Sequence, residues 1–147
     1  MTETGSFQHE VFIEAPPATI FAFLTDPDKM IRWMGVSHEL DPKPGGVYRV
    51  DVMNGHVTKG EFREVSPNDR LVYTFGWEGT ETSVPPGSSV VTIILTPEAQ
   101  GTKVNLLHSG LPVAALEGHK KGWLHYCSRL SQAAAGHDPG PDRGPNA

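Results

Sequence analysis

Apolar and polar positions alternate along the first patterned stretch of the chain. In FQHEVFIEA, Phe7, His9, Val11 and Ile13 fall on one side, and Gln8, Glu10, Phe12 and Glu14 on the other. A period of two predicts a half-buried strand that tolerates one apolar residue outside. PPATIFAFLTD then changes the period: proline opens a helix, and Ile20, Phe21 and Leu24 recur at helical spacing. Asp26 and Pro27 close that helix and cap a second short one, PDKMIRWMG, which Gly35 ends.

From residue 36 to 109 the pattern is that of strands separated by turn formers, at the spacing of a meander. VSHELDP is a short candidate. GVYRVDVM is clearer, with Tyr48, Val50 and Val52 on one face, and Asn54-Gly55 after it is a strong hairpin turn. HVTKGEFREVSP is the next strand. SPND turns it into RLVYTFGW, where Leu71, Tyr73, Phe75 and Trp77 share a face. EGTETSVPPGSS reads as a long, mobile loop. SVVTIILTP and TKVNLLHSG, joined across EAQG, are the last strands.

After Gly110 the helical period returns. Leu116, His119, Trp123, Cys127 and Leu130 line one stripe with Tyr126 beside it, while Lys120, Lys121, His125 and Arg129 lie off it and are expected to face water. The order is strand, two short helices, a six-strand antiparallel meander, then one long helix. That is an α+β arrangement with helices laid on one face of a curved sheet.

Composition refines the boundaries. The 147 residues suit one domain with a real core, and the low hydrophobic share of 37% accompanies 16 glycines and 13 prolines. Six of these sit in AAAGHDPGPDRGPNA, which has no apolar period. Residues 133–147 therefore read as a disordered tail, 1–6 as a flexible N-terminus and 7–132 as the domain. A net charge of −5 lacks the basic face of a nucleic-acid binder. No window approaches about eighteen apolar residues, so no membrane span is expected. MTETGSFQHE lacks the basic and apolar parts of a secretory signal. A single cysteine excludes an internal disulfide and fits a reducing compartment. A cytoplasmic location is the expectation.

Candidate chemistry concentrates in HSGLPVAALEGHKKGWLHYC, residues 108–127. Helical zinc pairs sit at i and i+4. His119 and His125 are six positions apart, roughly 240° around the helix, and His125 and Cys127 diverge by about 200°. His119 and Cys127 share a face but lie about 12 Å apart along the axis. No metal site is expected from them, and no cofactor motif is present. Cys127, mid-helix on an apolar stripe, reads as a small hydrophobe rather than a nucleophile. His108 is different: Val104, Leu106 and His108 share the inward face of the last strand, and His119 faces inward from the covering helix. Two inward imidazoles near Tyr48, Tyr73 or Trp77 suit satisfied core positions, ligand contacts or an acid–base pair, and these three readings stay open.

Several segments together resemble a known family. They are IEAPPATIFAFLTDPDKMIRWM, GEFREVSPNDRLVYTFGW, PGSSVVTIIL, TKVNLLHSGLP and HKKGW, spread over about residues 7 to 132. Their order is similar to that of the activator of heat-shock-protein-90 ATPase homologue family within the START-like, or SRPBCC, superfamily. The resemblance implies a helix-grip fold: a curved antiparallel sheet, two short helices and one long C-terminal helix enclosing a cavity. Superfamily relatives bind lipids, hormones or polyketides there, and some are cyclases or aromatases. The expected function is thus binding of a small hydrophobic or aromatic molecule. A cyclase- or dehydratase-type enzyme using the pocket histidines, and a co-chaperone-like interaction domain, are the alternatives. A homodimer or a chaperone partner also stays open, although a chain this short lacks room for the separate chaperone-binding domain of the eukaryotic activators. The expected cavity wall comprises Met30, Trp33 and Met34 from the second short helix, and Tyr48, Val50 and Phe62 from the first meander strands. Tyr73, Phe75, Trp77, Ile93, Leu106 and His108 add the later strands, and His119, Trp123 and Cys127 the long helix.

Overall fold

Strand β1 spans Thr4–Ile13 and so begins before Phe7, because Gly5 and Ser6 extend its ladder past a bulge. The structure, a computed structural model, describes residues 3–145. Helix α1, Pro17–Thr25, starts on a proline at its first position and buries Ile20, Phe21, Phe23 and Leu24. Helix α2, Pro27–Met30, is capped by Asp26, whose carboxylate accepts from the Asp28 amide at 2.9 Å.

Six further strands follow: β2 (Ser37–Leu40), β3 (Val47–Met53), β4 (His56–Ser66), β5 (Arg70–Phe75), β6 (Ser89–Glu98) and β7 (Gly101–Pro112). They form one antiparallel sheet of order β1-β7-β6-β5-β4-β3-β2, so the first strand closes beside the last. The β3–β4 hairpin turns on Asn54 and Gly55, both with positive φ (52° and 80°), as a tight turn of matching twist requires. The expected mobile loop before β6 is instead tied inward. Val84 is buried, and its carbonyl accepts from the Trp77 amide at 2.7 Å.

Helix α3, Leu116–Ala134, crosses the sheet and buries Trp123, Tyr126, Cys127 and Leu130. Two side chains expected to face water do not. Arg129 is buried, donating from Nε to the Trp33 carbonyl at 3.0 Å, and His125 is half-buried. The reason lies beyond the helix. Residues 136–145, expected as a free tail, fold back along α3, and the Arg129 guanidinium donates to the Pro139 and Gly140 carbonyls at 3.3 and 2.9 Å. Ala133 and Ala134, placed in that tail by composition, are buried helix residues.

Candidate functional site

A cavity of about 410 Å³ lies between β3–β5 and the first half of α3. Phe75, Trp77, Trp123 and Tyr48 supply aromatic walls, and Met34 and Met53 the softer ones. The helix contributes Gly118 and Gly122 as well as His119 and Tyr126. The wall is predominantly apolar.

Trp77 is held in position from several sides. Its backbone bridges to Thr58 beyond the end of β5, and the following Glu78 amide donates to Val57 at 2.9 Å. Arg49 then grips Glu78 with two hydrogen bonds, 2.8 and 3.0 Å, and holds that carboxyl below its ordinary value. The Trp77 indole donates from Nε1 to His119 Nε2 at 3.0 Å. With Nε2 accepting, the His119 proton resides on Nδ1 and is donated to the Ala115 carbonyl at 2.8 Å.

His108 has the complementary arrangement. Its Nδ1 accepts from Trp123 Nε1 at 2.9 Å. Its Nε2 lies 2.9 Å from Ser89 Oγ, whose own proton goes to the Phe75 carbonyl at 2.8 Å. His108 therefore donates from Nε2 to Ser89. Burial, then the neighbouring His119, lowers its pKa from 6.5 to about 3. The two imidazoles do meet, with ring centroids 5.5 Å apart. Every ring nitrogen of the pair is engaged within the protein, His108 with Trp123 and Ser89 and His119 with Trp77 and Ala115.

The expected wall residues divide into two groups. Met34, Tyr48, Phe75, Trp77, His119 and Trp123 line the cavity. Met30, Val50, Phe62, Ile93 and Leu106 do not; they are buried in the packed core. Trp33 spends its indole on the Phe23 carbonyl at 2.8 Å, and Tyr73 stacks on Tyr48 with centroids 4.1 Å apart. His108 is fully buried behind Trp123, and burial pushes the Cys127 thiol up to about 12, leaving an inert packing group. The physical reason is position along the elements. A strand face or helix stripe marks the inward side, but not which stretch of it lines the cavity near the start of α3.

Lining residues outside the sequence expectation include Val52, His56 and Thr58 on β3–β4, and Ala114, Ala115, Gly118 and Gly122 at α3. The pair of glycines at i and i+4 was the available signal. Gly144 and Pro145 also border the cavity, and composition alone carries no trace of that. Among the described residues, no group of three or more His, Cys, Asp or Glu side chains is arranged to hold a metal ion. No described helix is long and apolar enough to cross a membrane.

A seven-stranded antiparallel sheet curved around a long C-terminal helix, with a cavity between them, defines a helix-grip protein of the START-like, or SRPBCC, class. Within that class the chain belongs to the Activator of Hsp90 ATPase homolog 1-like protein family, whose pattern matches residues 14–135. It is 51% identical to an AHSA1-like protein from Rhizobium etli solved by NMR, with TM-score 0.77 and coverage of 96% of this chain and 88% of that one. A protein from Mesorhizobium loti is similar at 28% identity and TM-score 0.79, covering 88% of this chain and 96% of that one. DynU16, from the dynemicin biosynthetic locus, is similar at 27% identity and TM-score 0.79, over 91% of this chain and 48% of its own. Among curated proteins, none matches.

Proposed function

We propose that the protein binds a small, uncharged, aromatic or otherwise apolar molecule between β3–β5 and the first half of α3. The observation that carries this reading is an apolar cavity of about 410 Å³ whose basal indole and imidazole nitrogens are already paired inside the protein. Such a site selects by shape and ring contact rather than by charge, and its volume falls in the usual range for ligand pockets. A charged occupant would lose its hydration and gain no counter-charge at the base of the cavity.

The test is a titration with N-phenyl-1-naphthylamine, a neutral aromatic probe, read by quenching of tryptophan emission. Saturable binding in the micromolar range is expected, because Trp77 and Trp123 both border the site. Gly118→Met adds a bulky side chain at a lining position where a Cβ meets no neighbour within 4 Å and should weaken binding at least about tenfold. No quenching up to the solubility limit of the probe, or equal binding by the filled variant, would sink the reading.

A further inference from the structure

The chain beyond α3 returns along the helix in a definite register. Gly136, with φ +93°, makes the reversal; its amide donates to the Ala133 carbonyl at 3.1 Å and the His137 amide to Gln132 at 2.9 Å. Successive points on the returning chain then meet progressively earlier residues of α3. Pro139 and Gly140 take hydrogen bonds from Arg129. Asp142 Oδ1 accepts from His125 Nε2 at 2.9 Å, one turn further back. Gly144 and Pro145 arrive at the cavity itself. A side-chain carbon placed on Gly144 would lie 4.0 Å from the Met53 sulfur on the opposite rim.

The two attachments differ in kind. Arg129 is buried and also bonded to the Trp33 carbonyl, so it ties the first part of the return to the core. Asp142 and His125 meet nearer the surface, with side chains 16% and 25% exposed, and the Tyr126 side chain of α3 also faces Asp142. Asp142 Oδ1 also accepts from the Gly144 amide at 2.9 Å, which shapes the last turn. Between the attachments lies Gly140 at φ +77°, and the described part beyond it forms no strand or helix.

We propose that residues 140–145 form a strap that closes the mouth of the cavity against Met53 and swings about Gly140. The His125–Asp142 contact is its latch, and ligand passes between the strap and the β3–β4 hairpin. The proposal rests on the cavity being a ligand site. A gate of this kind has a kinetic signature. Opening it speeds entry and exit together, whereas loss of a wall contact speeds exit alone.

Stopped-flow binding of N-phenyl-1-naphthylamine separates the cases. Asp142→Ala, which removes both the His125 contact and the bond from the Gly144 amide, should raise both the association and dissociation rates at least about tenfold, with a smaller change in Kd. A chain ending at Gly140 keeps both carbonyl partners of Arg129 and should behave the same way. A rise in dissociation alone, or unchanged rates in either folded variant, overturns the strap and leaves the binding site standing. Failure of the unaltered protein to bind the probe overturns the binding site, and the strap falls with it.

Discussion

His108 shows how far a single residue's chemistry depends on what fills its two nitrogens. Alternation along β7 places it inward, and it is fully buried. What alternation leaves open is whether an inward imidazole works or is spent. Here Trp123 and Ser89 take both nitrogens, and the ring is a neutral link between α3 and β6. Its pKa, depressed from 6.5 to about 3, has a direct consequence for stability. Above pH 6.5 the ring is neutral in the folded and unfolded chains alike, and its contribution to stability is complete. As pH falls from 6.5 towards 3, the unfolded chain takes up a proton that the folded chain refuses. Stability then declines by about 1.4 kcal/mol per pH unit, and the contribution is gone below the folded value. The carboxyls of Glu78 and Asp142 are held below their ordinary values, so their effects enter at lower pH. Unfolding free energies from urea titrations between pH 6.5 and 5 should therefore fall more steeply for the unaltered protein than for His108→Asn, the difference approaching that slope at the acid end. Parallel lines would show that His108 is not the titrating group. Arg129 teaches the converse lesson. Its place off the apolar stripe indicates water, but the carbonyls that bury it come from the returning chain, which no helical period announces.

At the scale of elements, α3 is two helices in function. Its second half carries Cys127, Leu130, Ala133 and Ala134 into the core. Its first half carries Gly118 and Gly122 along the cavity, and a Cβ built on either meets nothing within 4 Å. Neither glycine is required by close packing, so each weakens the helix by about 1 kcal/mol relative to alanine without a steric reason. The space they leave is cavity. Gly118→Ala and Gly122→Ala should each raise the thermal midpoint, by up to about 4 °C for a chain of this size, while weakening probe binding. A lowered midpoint in calorimetry would mean that the helix face is occupied rather than open. The seven strands and their turns were legible because each has its own period and punctuation, from the alternation of β1 to Asn54-Gly55. The cavity was legible only as a direction. Val50, Phe62, Ile93 and Leu106 point inward like Tyr48 and Phe75, and periodicity has no coordinate that says which end of a strand stays unfilled.

Across the whole molecule, the cavity is a junction of parts that are remote in sequence. β3 and β4 give one rim, Phe75 and Trp77 the back, α3 the cover, and Gly144 and Pro145 the mouth. The sheet itself is closed at long range by β1 against β7, with Phe7 opposite His108 and Val11 opposite Val104. The order of elements made this architecture readable, since one strand, two short helices, a meander and a final helix leave few ways to cover a curved sheet. A ligand at such a junction contacts segments that separate on unfolding, so it binds the native chain and not the unfolded one. Mass action then adds about 2.7 kcal/mol at a probe concentration one hundred times Kd. For 147 residues that corresponds to a rise of roughly 5–10 °C in the thermal midpoint. The rise should follow the logarithm of N-phenyl-1-naphthylamine concentration, and Gly118→Met should flatten it. Probe fluorescence that increases while the midpoint stays fixed would place the probe on the surface or on the unfolded chain, and would remove the cavity from the protein's function.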